Sequence, residues 1–513
     1  MTEVTEVSQK SQGIGLTKPM VMVCLTAAIN CASVGYDSSM MSSINILSSF
    51  KKEFGITTNL LGLLTAVSNL GGIVGGLFAG HVVDRWGRKG GIFISSTLVF
   101  VSCILLSTST TRAQFFVGRV LVGVAKAIDI AAVPTYLVEL APPSSRGFVG
   151  GLYWACWLLG AIISSAVGYG ARSVAGEWSW RLICICMAGP ALGCIALLPF
   201  IPESPRWLIS KGQVSKGLEV LTEYHGNGDA THPMVTAQFR EINETIALEK
   251  ESQFESYAAW WKAFAKSKSN RHRSFILLTL GIFEQTVGSS IITFYLSQVL
   301  NLAGITSERE QFAINLGQNC VAFVSALTGI CLIDKLGRVP MLTAGTAFCA
   351  AVLACMAGLT ADQTGNAAGR NGIIAMVFLF QMGYSSTWTP LSFSYCAEVL
   401  NFTIRAKGMA FYCIFTSSAG FFNQYVIPIG LAGIGWRFYI VGVIWNTLMA
   451  LVIYFTYMET KGLTLEQIDK RFNGIPRDQL DDVIEAYDGG KPISEDEFDH
   501  KSEAMIIPTD VKT

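Results

Sequence analysis

A short charged turn, Asp84-Arg85-Trp86-Gly87-Arg88-Lys89, separates two long apolar stretches of the chain. A close copy, Asp334-Lys335-Leu336-Gly337-Arg338, returns 250 residues later, again between apolar stretches. Two further motifs recur at offsets of 259 and 256 residues: Glu139 with Arg146 returns as Glu398 with Arg405, and 202–206 returns as 458–462. Three motifs at nearly one offset indicate that a single structural unit has been duplicated within the chain.

Charged residues are sparse over most of the sequence. They make up 14% of the 513 residues, against about 25% in an average soluble protein. Residues 202–273 hold 19 of them and 458–513 hold 21, whereas the 367 positions of 19–201 and 274–457 hold 30. This distribution excludes a soluble enzyme, a nucleic-acid binder and a disordered chain. It is typical of a protein that crosses a membrane many times.

A helix needs about 20 apolar residues to cross a hydrocarbon core of about 30 Å. Twelve such runs, spans 1 to 12, lie near 20–41, 60–82, 91–109, 114–137, 148–170, 181–201, 274–300, 311–333, 341–360, 372–397, 408–431 and 436–457. The sequence therefore predicts an all-α membrane protein with 12 transmembrane helices in two six-helix bundles. The predicted parts are an N-terminal tail (1–19), an N-terminal bundle (20–201), a central loop with short helices (202–273), a C-terminal bundle (274–457) and an acidic tail (458–513).

The distribution of Lys and Arg among the loops predicts which side of the membrane each loop occupies. The short loops after even-numbered spans carry about two cations each, and the loops on the other side average nearer one. The cations of the first group are Arg85, Arg88, Lys89, Arg146, Lys335, Arg338, Arg405 and Lys407. Because cytosolic loops are enriched in Lys and Arg, we expect both termini and the central loop to lie in the cytosol.

The repeated motifs place acidic and basic residues together at the cytosolic ends of the spans. We expect them to form ion-pair networks that exist only when the cytosolic side is closed, which would bias two conformations. Static surface salt bridges, worth about 0–1 kcal/mol each, are the alternative. The gating candidates are Asp84, Arg88, Glu139, Arg146, Glu203, Arg206, Asp334, Arg338, Glu398, Arg405 and Glu459.

A few charged residues fall inside the predicted spans, where a charge needs a partner. Asp37 in span 1 and Arg119 in span 4 lie at similar depth, so a proton on Asp37 would release Arg119; a permanent structural pair is the alternative. Lys126 lies about 10 Å deeper on nearly the same face as Arg119. Its candidate partners are Asp129, three residues on, and Glu284 of span 7. Either Lys126 belongs to a self-neutralising pair, or Lys126 or Glu284 contacts the cargo or carries a proton.

Uncharged polar and aromatic residues complete a candidate cavity between the bundles. Amides both donate to and accept from hydroxyl groups, and rings offer flat apolar platforms. Helix packing explains any one of these residues as well as ligand contact does. The candidates are Trp154, Gln285, Ser289, Ser290, Tyr295, Asn319, Trp388, Phe393, Asn423 and Gln424. The sequence has no ATP-binding loop, nucleophile elbow or zinc helix, so we expect neither an enzyme nor a bound cofactor.

The chain resembles the sugar-porter family of the major facilitator superfamily from about residue 20 to 470, and within it the fungal lactose-permease-like branch. The repeated motifs carry the resemblance, together with Tyr224-His225-Gly226-Asn227-Gly228-Asp229, Trp388-Thr389-Pro390-Leu391, Phe422-Asn423-Gln424-Tyr425-Val426 and Gly435-Trp436-Arg437. It implies alternating access driven by a proton gradient, with Asp37 as the proton site and Arg119 as its partner. It also implies a small-molecule substrate, protons and the lipid bilayer as partners, and the plasma membrane as location, with a vacuolar membrane as the alternative. From the composition we expect no nucleic-acid partner. We expect a monomer, although the sequence leaves the oligomeric state open.

The residues expected to bind sugar depart from the family pattern. The glutamine of span 5 is replaced by Trp154, one glutamine of span 7 by Glu284, its asparagine by Ser290, and the tryptophan of span 10 by Phe393. The leading hypothesis is proton-coupled symport of a sugar or sugar-like molecule. A second hypothesis keeps the scaffold but changes the cargo to a glycoside, organic acid or secondary metabolite, with export as well as import open. A third is a non-transporting nutrient receptor.

Overall fold

A computed structural model describes residues 18–141, 146–226, 228–251, 268–361, 367–400, 402–463 and 465–472. Within these ranges the regular structure is helical throughout and contains no strand. Span 1 is Lys18–Ile46, spans 2 and 3 share the helix Thr58–Ser107, span 4 is Arg112–Leu140, span 5 is Arg146–Ala171, and span 6 consists of Trp178–Cys186 and Ala188–Leu197. A short helix, Ser48–Glu53, follows span 1, and the 3-10 turn Leu198–Phe200 ends span 6.

Three short helices form the described part of the central loop: Pro205–Ser210, Val214–His225 and Pro233–Glu251. The second half then repeats the plan of the first. Span 7 consists of Lys268–Thr286 and Ser289–Leu302, span 8 is Glu308–Leu336, span 9 is Arg338–Ala361, span 10 is Ala367–Val399, span 11 is Phe402–Ile434 and span 12 is Arg437–Thr456. A last described helix, Leu465–Phe472, follows.

Seven helical segments of the described chain are both long and apolar enough to cross a membrane. They are Pro19–Ile46, Thr58–Ser107, Trp178–Phe200, Lys268–Leu302, Glu308–Ile333, Arg338–Ala361 and Arg437–Thr456. Thr58–Ser107 has 50 residues, about 75 Å of helix, which is enough to cross a core of about 30 Å twice. The prediction of an all-helical membrane protein is confirmed.

The charged turns predicted from the repeated motif reverse the chain at two glycines. Gly87 has φ 83° and ψ 174°, and Gly337 has φ 93° and ψ 163°. This combination is essentially restricted to glycine, because a side chain would collide with the backbone. The same residue type therefore makes the same tight turn in both halves.

Span 7 differs from the continuous helix predicted for 274–300. It breaks at Gly288, which has φ 107°. The backbone freed by the break is bonded within the protein, since Asn446 Nδ2 donates to the carbonyl of Val287 at 2.9 Å. Trp445 Nε1 also donates to Thr286 Oγ1 at 2.9 Å. A break at membrane depth is tolerated where neighbouring helices satisfy the freed groups, as span 12 does here.

The two bundles approach most closely on the side away from the central loop. Along span 2, a Cβ added at Gly62 would lie 2.8 Å from the Tyr425 carbonyl oxygen of span 11. Further toward the central loop, a Cβ added at Gly72 would lie 3.1 Å from Ser417 Oγ, and one added at Gly76 would lie 3.8 Å from Ile414 Cγ1. A Cβ added at Gly80 would have no atom within 4 Å. Spans 2 and 11 therefore separate along this line of glycines toward the central-loop side.

Candidate functional site

A buried ion pair joins spans 1 and 4 within the first bundle. Arg119 Nη1 donates to Asp37 Oδ1, and Arg119 Nη2 donates to Ser68 Oγ of span 2 at 3.2 Å. Arg119 is 1% exposed and Asp37 5%. At such burial each charge would be expensive to leave alone, so the state of one group determines whether the other is stable. The predicted pairing of Asp37 with Arg119 is present.

Lys126 follows on span 4 and lines a small cavity together with Asp37 and Asp129. Within the described part of the chain it forms no hydrogen bond or salt bridge, although the charges of Asp37, Arg119 and Glu284 act on it. Both side chains of the predicted Lys126–Asp129 pair are described, and no salt bridge joins them. Among the described residues, Lys126 is thus a basic side chain beside a small cavity of the first bundle, without a hydrogen-bond or ion-pair partner.

Asp129 instead points into the interior of the first bundle. Its Oδ1 accepts from Ser95 Oγ at 3.3 Å, and its Oδ2 lies 3.5 Å from the hydroxyl of Tyr153. Asp129 is 2% exposed. Because Asp129 is bonded to spans 3 and 5 rather than to Lys126, the prediction of a self-neutralising Lys126–Asp129 pair is wrong.

Glu284 provides the matching acidic group in the second bundle. Its Oε2 accepts from the hydroxyl of Tyr412 in span 11 at 2.6 Å, and Ser392 of span 10, whose hydroxyl donates to the Trp388 carbonyl, lies near it. Lys126, from the other bundle, acts on it electrostatically. The two charges that the sequence placed near the membrane centre therefore lie on opposite sides of the space between the bundles.

An amide cluster links the bundles beside Glu284. Asn423 Nδ2 donates to the carbonyl oxygen of Gln285 at 2.5 Å. Asn69 Nδ2 of span 2 donates to Gln424 Oε1 at 3.0 Å, across the two bundles. A Cβ added at Gly420 would lie 3.1 Å from Gln285 Oε1 and 3.2 Å from the Asn69 amide, so these two side chains come together. Gln285, Asn423 and Gln424 thus form one group, and Asn69 is a member that the sequence did not indicate.

The serines and the tyrosine predicted on span 7 are buried near its break. Ser289 is 8% exposed and lies near Tyr384 of span 10, and Ser290 is 3% exposed. Tyr295 is 1% exposed, and its hydroxyl donates to the Gln424 carbonyl at 2.5 Å. These contacts hold the outer part of span 7 against spans 10 and 11.

The aromatic candidates occupy different positions. Trp388 is fully buried, and its Nε1 donates to Thr346 Oγ1 of span 9 at 3.1 Å, which favours a packing role. Phe393 is half-buried and meets the ring of Tyr412 edge-on, with the ring centroids 5.3 Å apart. Since Tyr412 holds Glu284, Phe393 lies beside the acidic group. The side chain of Trp154 lies outside the described residues.

A layer of neutral hydrogen bonds closes the space between the bundles on the side away from the central loop. Asn319 Nδ2 of span 8 donates to Ser165 Oγ of span 5 at 2.8 Å and to Ser39 Oγ of span 1 at 3.4 Å. Asn315 Nδ2 donates to Ser165 Oγ at 3.2 Å, and Ser42 Oγ donates to Asn315 Oδ1 at 3.2 Å. Asn319, predicted as a cavity residue, belongs to this layer.

The predicted gating residues of the first half form one network at the central-loop side. Arg88 Nη2 donates to Glu139 Oε1 at 2.9 Å, and Asp84 Oδ1 lies 3.8 Å from Arg88 Nη1. Glu203 accepts from the backbone N–H groups of Arg88, Lys89 and Ser204 at 2.8–3.2 Å. Burial raises the pKa of Glu203, and these N–H groups act in the opposite direction. Arg206, two residues after Ser204, is half-buried.

The second half reproduces this network with its own residues. Arg338 Nη2 donates to Glu398 Oε1 at 3.1 Å, and Glu459 accepts from the N–H groups of Arg338 and Val339 at 3.0 and 2.9 Å. A tyrosine that bonds to the backbone beside the network also recurs in both halves. The hydroxyl of Tyr136 donates to the carbonyl of Pro202 at 2.7 Å, and that of Tyr395 to the carbonyl of Met458 at 2.8 Å.

Each described pair of these networks joins residues of one bundle. The pairs are formed even though spans 2 and 11 separate on this side. Closure of the cytosolic side would not itself bring these partners together, and the dependence of the pairs on closure stays a prediction. The side chains of the remaining gating candidates, Arg146, Asp334 and Arg405, lie outside the described residues.

The sequence profile of the family described as "Sugar (and other) transporter" matches residues 23–472. The chain belongs to this transporter family. The transporter is 30% identical over 458 residues to the MFS-type transporter criB of Aspergillus cristatus, covering 88% of this chain and 94% of criB. It is 27% identical over 464 residues to the high-affinity glucose transporter of Kluyveromyces lactis, covering 86% of this chain and 83% of that protein.

The transporter also shares its fold with the proton:xylose symporter XylE of E. coli, solved with bound 6-bromo-6-deoxy-D-glucose. The TM-score is 0.72 at 22% identity, over 89% of this chain and all of XylE. The identification as a major facilitator sugar porter is confirmed. The chain is a multi-pass membrane transporter and not an enzyme.

Sequence reasoning missed several residues that the fold brings to this region. Tyr412 bonds to Glu284, Ser68 bonds to Arg119, and Asn69 bridges the bundles. One signal was present: the stretch 38–45 holds four serines and an asparagine inside an apolar span. Hydroxyl groups at that density in a membrane helix indicate close contact with another helix, as the neutral layer shows.

Proposed function

We propose that this transporter moves a sugar or sugar-like molecule together with a proton by alternating access. The observation that carries the proposal is the buried Asp37–Arg119 pair, which lies in a bundle that contacts its partner bundle on one side and separates from it between spans 2 and 11 on the other. The glucose transporter and the xylose symporter named above support the substrate class and the proton coupling.

The proton step follows from the geometry of that pair. A proton that binds Asp37 removes the negative charge which Arg119 needs at its depth. Arg119 then keeps the Ser68 hydroxyl as an acceptor, but this neutral contact does not balance its charge. The cationic side chain is driven to a new partner, and this change favours a different arrangement of the bundle.

We propose that the described conformation is open toward the central-loop side, where spans 2 and 11 separate. The layer of Asn315, Asn319, Ser39 and Ser165 joins the bundles on the opposite side. By the positive-inside pattern, the open side faces the cytosol. We further propose the plasma membrane as the location, a monomer as the working unit and the proton gradient as the driving force.

The residues proposed to contact the cargo come from both bundles. They are Lys126, Asp129, Trp154, Glu284, Gln285, Ser289, Ser290, Tyr295, Asn319, Trp388, Phe393, Asn423 and Gln424. The geometry favours Lys126, Glu284, Gln285 and Phe393 among them, because the two charges act on each other across the bundles and Gln285 and Phe393 lie beside Glu284 in sequence or in space.

A second candidate function is transport of a charged or glycosidic compound. The observation that favours it is Lys126, which lines a small cavity within the first bundle and forms no hydrogen bond or salt bridge with any described residue. A charged Lys126 would attract an acidic group on the cargo, whereas a neutral sugar has no counter-charge to offer.

Uptake of a labelled panel in transporter-deficient yeast tests both candidates. The panel contains hexoses, disaccharides, a sugar acid and an aromatic glycoside, each measured with and without an uncoupler. Surface expression is verified for every variant. Uncoupler-sensitive uptake of a neutral sugar supports the first candidate, and uptake of the sugar acid or glycoside alone supports the second.

Asp37→Asn should abolish accumulation. Asp229→Asn, which neutralises an exposed carboxylate of the central loop, is the matched control and should not. Failure of every compound would contradict both candidates.

A further inference from the structure

Two acid–base pairs lie at the centre of the protein, and they differ in how they relate to the bundles. Asp37 and Arg119 both belong to the first bundle, in direct contact. Lys126 belongs to the first bundle but Glu284 to the second, and the two interact without a salt bridge. Movement of one bundle against the other leaves the first pair intact. The same movement changes the distance between Lys126 and Glu284.

The surroundings of Glu284 leave Lys126 as its counter-charge. From span 11, Tyr412 donates a hydrogen bond at 2.6 Å and Cys413 lies within electrostatic reach. From span 10, Ser392, Tyr384 and Cys396 lie near. From span 4 comes Lys126. In this set of described neighbours Lys126 is the basic side chain.

A carboxylate in a low-dielectric site is stable when a cation lies close and takes up a proton when the cation withdraws. A transported proton requires a group whose affinity for the proton differs between the two conformations. A carboxylate in one bundle with its cation in the other meets this requirement directly, because rocking of the bundles alters their separation.

We propose that Glu284 carries a second transported proton and that Lys126, from the opposite bundle, controls when it is bound. The inference rests on the proposed function of a proton-coupled transporter and adds a site to it. One proton enters from water on one side of the membrane, binds a carboxylate oxygen of Glu284, and leaves to water on the other side. No bond to the cargo forms or breaks in this step.

Infrared titration of the purified full-length transporter in lipid nanodiscs tests the site without any cargo. The C=O stretch of a protonated carboxyl reports each acid that titrates. Glu284→Gln should remove one titrating band, because the amide cannot take up the proton, while Asp37→Asn should leave that band in place. Identical titrations of the wild type and Glu284→Gln would overturn the proposal.

Variants of Lys126 test whether this residue controls proton binding at Glu284 from the opposite bundle. Lys126→Met should move the midpoint of the Glu284 band toward higher pH by about 1–3 units, the usual effect of an opposite charge nearby. Lys126→Arg keeps the charge and should leave the midpoint close to that of the wild type. If Lys126→Met cannot be purified, Lys126→Gln makes the same comparison. An unchanged midpoint in the neutral variant would overturn the role of Lys126.

Transport in proteoliposomes then measures the number of protons, with glucose as the probe. Opposing proton and glucose gradients are adjusted until net flux stops, which gives the ratio of protons to sugar. Glu284→Gln should lower this ratio by one proton per glucose. An unchanged ratio would overturn the proposal even if Glu284 titrates. If the wild type does not carry glucose, the proposed function fails for that sugar, and the infrared result still decides whether Glu284 takes up a proton under the control of Lys126.

Discussion

Replacing Gly87 by alanine should destabilise the first bundle, for reasons that the structure makes quantitative. The new Cβ would lie 2.2 Å from Glu203 Oε2 and 2.7 Å from its carboxyl carbon. The backbone at φ 83° and ψ 174° is restricted to glycine, which contributes about 1–3 kcal/mol. Displacing Glu203 weakens its bonds to three N–H groups, and one such charged bond contributes about 1.5–3 kcal/mol. The expected loss is about 3–5 kcal/mol.

Substitutions at two other glycines separate the contribution of the backbone conformation from that of the displaced carboxylate. Gly337→Ala in the second half has nearly the same backbone, but its Cβ would lie 2.9 Å from Glu459 Oε2, so the loss should be smaller. Gly212→Ala has φ 80° with no atom within 4 Å of the Cβ, and it should lose about 1–2 kcal/mol from the positive φ alone. Denaturant unfolding in detergent micelles, followed by tryptophan fluorescence, gives the three values.

The order of the unfolding free energies of the three variants tests the contribution of Glu203. Trp207 Nε1 donates to the Asp84 carbonyl at 2.9 Å, so its fluorescence reports on the turn itself. If Gly87→Ala were no less stable than Gly212→Ala, the bonds of Glu203 to the turn would contribute nothing measurable. The role of this network in holding the first bundle together would then be refuted.

Asp37→Asn should lose uphill accumulation of a transported sugar but keep exchange of sugar across the membrane, because the neutral amide no longer takes up a proton. Full accumulation by this variant, measured as uptake corrected for exchange, would exclude Asp37 from the coupling. Tyr136→Phe and Tyr395→Phe should each lower the unfolding free energy by about 1–3 kcal/mol, since each leaves a partly buried carbonyl without its donor. The hydroxyl of Tyr395 also accepts from the Met458 N–H at 3.1 Å, so a smaller loss in Tyr395→Phe than in Tyr136→Phe would contradict the equivalence of the two halves. Asn446→Ala should lose a similar amount by freeing the carbonyl at the break of span 7, while Thr447→Ala, on the exposed face of the same span, should unfold like the wild type.

The fold could be predicted closely from the sequence because the duplication and the apolar runs act over long stretches. Hydrocarbon thickness determines the length of each span, and the repeated glycine determines where the chain turns. The break at Gly288 could not be predicted in this way. It depends on Asn446, more than 150 residues away, which makes the non-helical backbone tolerable.

The candidate site was predicted in part. Asp37 and Arg119 could be paired because equal depth and opposite charge are visible in a helix count. The partner of Lys126 could not, since depth alone does not distinguish Asp129 on the same helix from Glu284 on another. The direction in which a side chain leaves its helix decides this, and Ser95 and Tyr153 hold Asp129 away. The gating residues were found by their repetition, but repetition does not tell whether partners lie in one bundle or two.

The layer that joins Asn315 and Asn319 to the serines of spans 1 and 5 consists of uncharged groups alone. When such a layer opens, each group exchanges a protein partner for water, at a net difference of about 0.5–1.5 kcal/mol per bond. The work of parting this layer should hardly change with ionic strength. On the same side Glu308 Oε1 accepts from the Ser48 N–H at 2.9 Å across the bundles, and this charged contact should weaken as salt is added. The cost of opening this side therefore has one part that responds to salt and one that does not.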